Sequence, residues 1–488
     1  MKTNDLIKKL NRYSFEEKAV LCLRTSLDSI DFSEDYRNGK KGIPFPWLVD
    51  GFATLCILSN PKTGFHKDIF VDGIKDRNKV INTLFKQVPP NWQYLKGDVS
   101  YMTNPLLNPQ LMYQRDADMI LYRYRYLFSF FEDEFNALTN NVGFDEFLFV
   151  ARLFSSYKEL AKGGVDVFSF TRNLLCLIPE IIEPLSISRD RLVEETKQIL
   201  DDLNDLSKFA YSFKIISSYP FISYNGNWYL FGFHNILNSI TTGFMNRLTF
   251  SNKELSERLG IALEKYLFKI IDESGLAGAV EDDSILYKIG KQEYRKPDVS
   301  FEQNGVLVII ESKKAWSILK SAYNDEDAVS KEIEKGVEAV KKSIKSYIRF
   351  VEGNYTICGN YYSAFREVYL IICVENDNYW PKETILNRIK ECKEFAEYSD
   401  FIDNNLIITS LYNLESYFLF ERPIAPELLR DKPVCERNSL LKNSGDDLKR
   451  SPLFQEFIDQ EEKRFESFKR ELNEKEHFKN SEKAKEFQ

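Results

Sequence analysis

Two carboxylates and a lysine, Asp298, Glu311 and Lys313, stand where a β-hairpin can bring them together. The stretch from Arg295 to Lys314 holds two β-branched and aromatic runs on either side of Asn304-Gly305. That dipeptide suits a two-residue type I′ turn, because both of its residues tolerate positive φ. With this turn Gln303 pairs with Val306, and Asp298 faces Glu311 across the ladder. Directly opposed residues share a face with Cβ atoms roughly 4.5–5.5 Å apart, a spacing at which like charges destabilise the sheet. The run Val306 to Ile310 is unbroken and apolar, as in a central strand buried on both faces. A carboxylate at its end needs a cation or a shared proton. Lys313, two positions beyond Glu311, returns an ammonium to the same face. Such a set suits metal-assisted phosphodiester hydrolysis, with oxygen ligands for Mg²⁺, a metal-activated water, and a lysine that orients this water or steadies the charged phosphorane.

Pro297-Asp298 followed by Glu311-Ser312-Lys313 resembles the signature of the PD-(D/E)XK, or restriction-endonuclease-like, nuclease superfamily. The resemblance implies that Asp298 and Glu311 are metal ligands, that the Ser312 carbonyl is a further ligand, and that Lys313 is the catalytic lysine. It implies Mg²⁺ as cofactor, with Mn²⁺ as a substitute. It also implies an α/β nuclease core of order αβββαβ, a mixed central sheet flanked by helices, and a metal-binding glutamate on the helix before the hairpin, shortly after a glycine. Glu264, one turn past Gly260, fills that place. The helix after Lys313 has Ser343-x-x-x-Tyr347 where RecB-like members have Gln-x-x-x-Tyr, which leaves the subtype open.

The elements that must position these groups are legible. Ser251-x-x-Glu254 predicts a capping box. The helix after it carries Leu255, Leu259, Leu263, Tyr266, Leu267, Ile270 and Ile271 on one side, with Arg258, Lys265 and Lys269 on the wet side. Glu264 lies at the margin of the apolar stripe. Ser284 to Ile289 predicts a first strand and the hairpin two more. An amphipathic helix is expected over 325–350, a buried strand over 368–374, a helix over 382–397 and a last strand over 405–410. The nuclease-like core thus spans 251–420.

Around it the composition suggests three further regions: 1–110, mixed and of unreadable role; 111–250, mainly helical and ending in a second Asn-Gly hairpin and a helix; and 421–488, a charged helical tail. Within 111–250 a long helix is expected over 116–138, holding Tyr122-Arg-Tyr-Arg-Tyr126. Interleaved aromatics and arginines can stack on bases and reach phosphates. A packed aromatic face with wet arginines is the alternative, since adjacent helical residues point in different directions. Candidate nucleic-acid contacts are therefore Arg123 and Arg125 there, Lys296 and Lys314 beside the motif, and Lys335 on the following helix. Trp316 is expected to close the core, and Asn104 to Pro109 to be a linker. The N-terminal region or the tail is a candidate contact for a partner subunit or a second copy.

The chain has 488 residues, 43% of them apolar, which suits several soluble domains. A formal charge of −8 argues against diffuse, charge-driven binding to nucleic acid. No run is long enough to span a bilayer, and the first residues alternate charged and apolar side chains, so a cytoplasmic protein with no membrane partner is expected. The seven cysteines are scattered without Cys-x-x-Cys spacing, and three histidines are too few for a zinc cluster. His66-Lys67-Asp68 lacks the His-x-Lys pattern of phospholipase-D-type chemistry, and His234 sits among apolar neighbours. No Gly-x-x-x-x-Gly-Lys-Ser/Thr loop is present, so a motor would have to come from another subunit. These readings converge on a metal-dependent endonuclease acting on DNA, of the kind used in bacterial anti-phage defence or restriction. The alternatives are a catalytically silent nuclease fold that binds nucleic acid or an assembly, and an RNase or single-strand nuclease of the same chemistry.

Overall fold

The computed structural model describes residues 3–29, 46–62, 69–87, 116–155, 166–199, 218–232, 235–249, 252–313, 326–375, 382–424 and 449–486. The linker at 104–109, the residues His66, Lys67, Asp68, His234 and Ser251, and both Lys314 and Trp316 lie outside them. The protein is mixed α/β. Where composition suggested four consecutive regions, packing groups the chain into two units. One gathers residues 1–94, 131–251 and 459–488, the other 95–130 and 252–458. Apolar faces pack by complementarity, not by order along the chain, and composition cannot report that.

The first unit is mainly helical. Two helices open it, Thr3–Leu10 and Phe15–Ser29. A reciprocal cap separates them. The Ser14 N–H donates to Glu17 Oε2 at 2.8 Å, and the Glu17 N–H donates to Ser14 Oγ at 3.2 Å. A small sheet follows, with β1 (Ser186–Ser188) parallel to β2 (Phe221–Tyr224) and β2 antiparallel to β3 (Asn227–Leu230). Its turn is the expected Asn225-Gly226, both at positive φ. In this unit the long C-terminal helix, Pro452–Glu486, lays Phe465 and Phe468 against Phe149, with centroids 5.4 and 5.1 Å away. One face of the charged tail is thus packed, where full solvation was expected.

The second unit is built on a five-stranded sheet ordered β10-β9-β8-β7-β4, from Leu406–Ser410, Glu367–Val374, Val306–Lys313, Val299–Gln303 and Ala279–Asp282. Strands β10, β9 and β8 are parallel, and β8, β7 and β4 antiparallel. The first strand is therefore 279–282, not 284–289. The expected segment instead forms β5 (Leu286–Ile289), which pairs with β6 (Gln292–Arg295) as a separate hairpin. On one face of the sheet Leu307, Ile309, Val368, Leu370 and Ile372 pack against Ile333, Val337, Val340 and Ile344 of the 326–351 helix. The other face carries Phe301, whose ring meets Phe418 edge-on at 5.5 Å, and packs on the 253–272 helix.

The expected helix over 116–138 is interrupted. Ala117–Phe128 ends at Ser129, and Glu132–Leu138 begins after Phe131, a fully buried residue with φ −133. The first of these two helices belongs with the sheet unit. Its Arg123, named above as a possible phosphate contact, is only 1% exposed. Arg123 Nε donates to Glu415 Oε1 at 2.7 Å, and Tyr266 Oη donates to the same oxygen at 2.7 Å. The assignment of Arg123 to nucleic acid is corrected accordingly, because a buried guanidinium whose charge is matched by Glu415 cannot reach a phosphate. Its burial is tolerable because the fork is paired and hydrogen-bonded. Arg125 is half-buried over the Phe457 ring, 6.0 Å from its centroid.

Removing one partner of this ion pair strands the other charge. Arg123→Ala or Glu415→Ala should destabilise the sheet unit by about 3–5 kcal/mol in urea unfolding. The apolar pair Arg123→Met with Glu415→Leu should recover most of that loss. Equal losses in the single and double variants would show that no buried charge was being compensated.

Candidate metal centre

Glu264 is presented by the helix Lys253–Asp272. Its cap is Asn252, whose side chain accepts from the Leu255 N–H at 3.2 Å, one residue later than the predicted box. The apolar stripe, with Leu259, Ala262, Leu263, Tyr266 and Leu267 buried, fixes the rotation of the helix. Tyr266 adds the hydrogen bond to Glu415 described above. Two residues before it, Glu264 is half-buried at the edge of the packed face.

Asp298, Glu311 and Lys313 come from the predicted hairpin. Asn304 and Gly305 have φ of 54° and 79°, and the ladder pairs Gln303 with Val306 through to Val299 with Ile310. The ladder ends there: the expected pair of Asp298 with Glu311 is not part of it, because Asp298 sits at a bend just before β7. Across that bend the Ser312 N–H donates to Asp298 Oδ2 at 2.6 Å. Pro297, just before it, has no N–H to offer the Ser312 carbonyl. Lys313 Nζ donates to Glu311 Oε2 at 3.0 Å.

One ligand-type residue went unrecognised in the sequence. Carboxylate oxygens of Glu264, Asp283 and Asp298 all lie within 4.8 Å of one another. Asp283 ends the run Glu281-Asp282-Asp283, and its neighbours face elsewhere. Glu281 pairs with Lys296 and accepts from the Cys358 N–H at 2.6 Å, while Asp282 accepts from the Ser284 N–H at 3.1 Å. The run of three acids was a visible signal; which of them turned inward was not. Arg295 lies against Asp283, N to O at 3.3 Å. Glu311, expected as a ligand beside Asp298, stands outside this oxygen triad and is engaged by Lys313.

Electrostatics reflect the crowding. Burial, then Asp298 and Asp283, push Glu264 up to about 7. Burial and Asp298 push Glu311 up to about 7 as well. Asp298 is raised by burial, against the pull of Lys313 and of the Ser312 hydrogen bond. Burial alone would lower Lys313, but Glu311 and Asp298 outweigh it and its ammonium is held above the ordinary lysine value. Three hard oxygen donors without sulfur or imidazole fit Mg²⁺ or Mn²⁺ better than zinc.

Of the remaining candidates, Lys296 is 8% exposed and paired with Glu281, so it is not available to a phosphate as expected. Lys335 is exposed on the 326–351 helix. No family model, curated protein or solved structure matches the chain. No helix among the described residues is long and apolar enough to cross a membrane.

The raised carboxyls give a signed pH prediction. Both hold protons more tightly in the folded protein than in the unfolded chain, whose value is near 4.5. Their contribution to stability is complete below that value and is lost as pH rises through about 7. In EDTA the melting temperature should therefore fall between about pH 4.5 and pH 7 and level off above. Glu264→Gln should raise it at pH 8, by about 2–4 °C for each kcal/mol of repulsion relieved. Mg²⁺ should raise the wild-type melting temperature and that of Glu264→Gln much less. A wild-type melting temperature flat across this range and indifferent to Mg²⁺ would contradict the crowded-carboxylate description.

Proposed function

We propose that this chain is a Mg²⁺-dependent nuclease, hydrolysing phosphodiester bonds and acting on DNA, with a PD-(D/E)XK-like core. The observation that carries this reading is the convergence of Glu264, Asp283, Asp298, Glu311 and Lys313 at one end of the β7–β8 ladder, from a helix, a strand end and both arms of the hairpin. Packing and solubility alone do not require four acids and a lysine in so small and half-buried a space. The order of helix, β4, β7, β8, helix and β9 supports the same reading, as does the resemblance of Pro297-Asp298 and Glu311-Ser312-Lys313 to the family signature.

In the proposed mechanism Glu264, Asp283 and Asp298 hold the ion, joined by the Ser312 carbonyl. When bound, Mg²⁺ supplies charge neutralisation for the carboxylates and the phosphate and lowers the pKa of a water nucleophile. Glu311 fixes the Lys313 ammonium beside the acids. Lys313, held beside Glu311, would orient or activate the attacking water or balance charge developing on the phosphate oxygens. The Ser312 N–H steadies Asp298, so that a ligand oxygen at a chain bend is held in place. Cellular use in anti-phage defence or restriction, and a cytoplasmic location, are part of the same proposal.

Supercoiled plasmid incubated with Mg²⁺ should be nicked or linearised, and EDTA should stop the reaction. Asp298→Ala and Lys313→Ala should each slow cutting by on the order of 100-fold or more while leaving the far-ultraviolet circular dichroism unchanged. Asp283→Asn should raise the Mg²⁺ concentration for half-maximal rate by about 10–100-fold. Undiminished cleavage by both the Asp298 and Lys313 variants would remove this site from the reaction.

A further inference from the structure

The β5–β6 hairpin stands outside the five-stranded sheet, and the acidic centre brackets it. Asp283 precedes its first strand and Asp298 follows its second. The hairpin is anchored: the Tyr287 ring stacks on Tyr355 at 4.2 Å and on Tyr294 at 5.6 Å, and the Arg349 guanidinium lies 4.0 Å over the Tyr294 ring. The opposite face is different in kind. There Leu286 is 49% exposed and pairs directly across the ladder with Arg295, whose side chain is 75% exposed. Lys288 lies on the same face, and Lys291 is exposed next to the tight turn at Gly290. Ile285 is 47% exposed at the root. The only acid on the ribbon is Glu293, 3.9 Å from Lys288.

Exposed aliphatics occurring singly need no explanation, but adjacent ones at a site do. Ile261, also exposed, lies one turn before Glu264. Half of the large apolar side chains exposed among the described residues thus border the acids in sequence. They sit among lysines and arginine, which disfavours a protein interface core, where charge is depleted.

We propose that the outward face of this hairpin is a recognition arm that enters the major groove of duplex DNA while the acidic centre engages the backbone. The proposal rests on the nuclease reading above. A two-stranded ribbon is a shape the B-form major groove admits. Leu286 would meet thymine methyls and other apolar base-edge atoms, with Lys288, Lys291 and Arg295 on the flanking phosphates. An A-form groove is too narrow and deep for such an arm, so duplex RNA should be a poor substitute.

The test is fluorescence anisotropy with a fluorescein-labelled duplex DNA in Ca²⁺, titrated over a range of salt. Lys288→Ala with Lys291→Ala should weaken binding about tenfold and reduce the slope of log K against log salt by about 0.9 for each phosphate the arm no longer neutralises. Leu286→Ser should weaken binding and leave the slope unchanged. All three positions are exposed, so the melting temperature and its shift with Mg²⁺ should match wild type. If Leu286→Ser disturbs folding, the lysine pair decides. Wild-type affinity and salt slope in the lysine variant would overturn the arm and leave the nuclease reading in place. Failure of the wild-type protein to bind duplex DNA at all would overturn both. Equal affinity for duplex RNA, reduced in the same variants, would overturn the groove assignment.

Discussion

The acidic centre depends first on one constraint: a two-residue turn fixes the register of β7 against β8, so that the ends of this ladder bring Asp298, Glu311 and Lys313 close together. A slip of one residue would send the entire alternation to the wrong faces. The packed residues of β8 leave no such freedom, since Leu307 and Ile309 must face the 326–351 helix and Val308 and Ile310 the other side. Core packing therefore holds Asp298 and Glu311 together against their own repulsion.

The surroundings are arranged around that repulsion without cancelling it. Lys313 takes up part of the charge of Glu311, and the Ser312 N–H part of that of Asp298. Lys313 and Arg295 offset only part of the charge felt by Glu264, which burial, Asp298 and Asp283 still raise to about 7, so the acids remain crowded. Pro297 contributes by what it lacks, since it has no N–H to offer the Ser312 carbonyl. The cluster thus costs stability in the absence of a counter-charge.

The Arg123–Glu415–Tyr266 cluster works at the opposite extreme. Its charges are fully buried and mutually satisfied, and they lock the helix that presents Glu264 to the helix Ala117–Phe128 and to the helix Leu411–Phe418. The acidic centre stays half-open and undercompensated, whereas this cluster is closed and neutral overall. The same residue types thus sit in two unlike settings within one unit, told apart by their burial and partners.

The sequence by itself determined what is local or periodic. Asn304-Gly305 specified the turn, and with it the register from Gln303–Val306 to Val299–Ile310. The unbroken run Val306–Ile310 specified a central strand, and strand alternation placed Lys313 beside Glu311. Helical spacing set Glu264 at the edge of its stripe. What the tertiary structure decided is everything that depends on distant partners. Arg123, in a motif that looked made for nucleic acid, is buried because Glu415, far along the chain, neutralises it. Lys296 is occupied by Glu281. Asp283 joins the acids because the strand pairing with β7 is 279–282, while 286–289 leaves the sheet to pair with 292–295. Turns and periodicities are written in neighbouring residues, whereas the choice of partner for a charge or a short strand is made by packing across the whole unit.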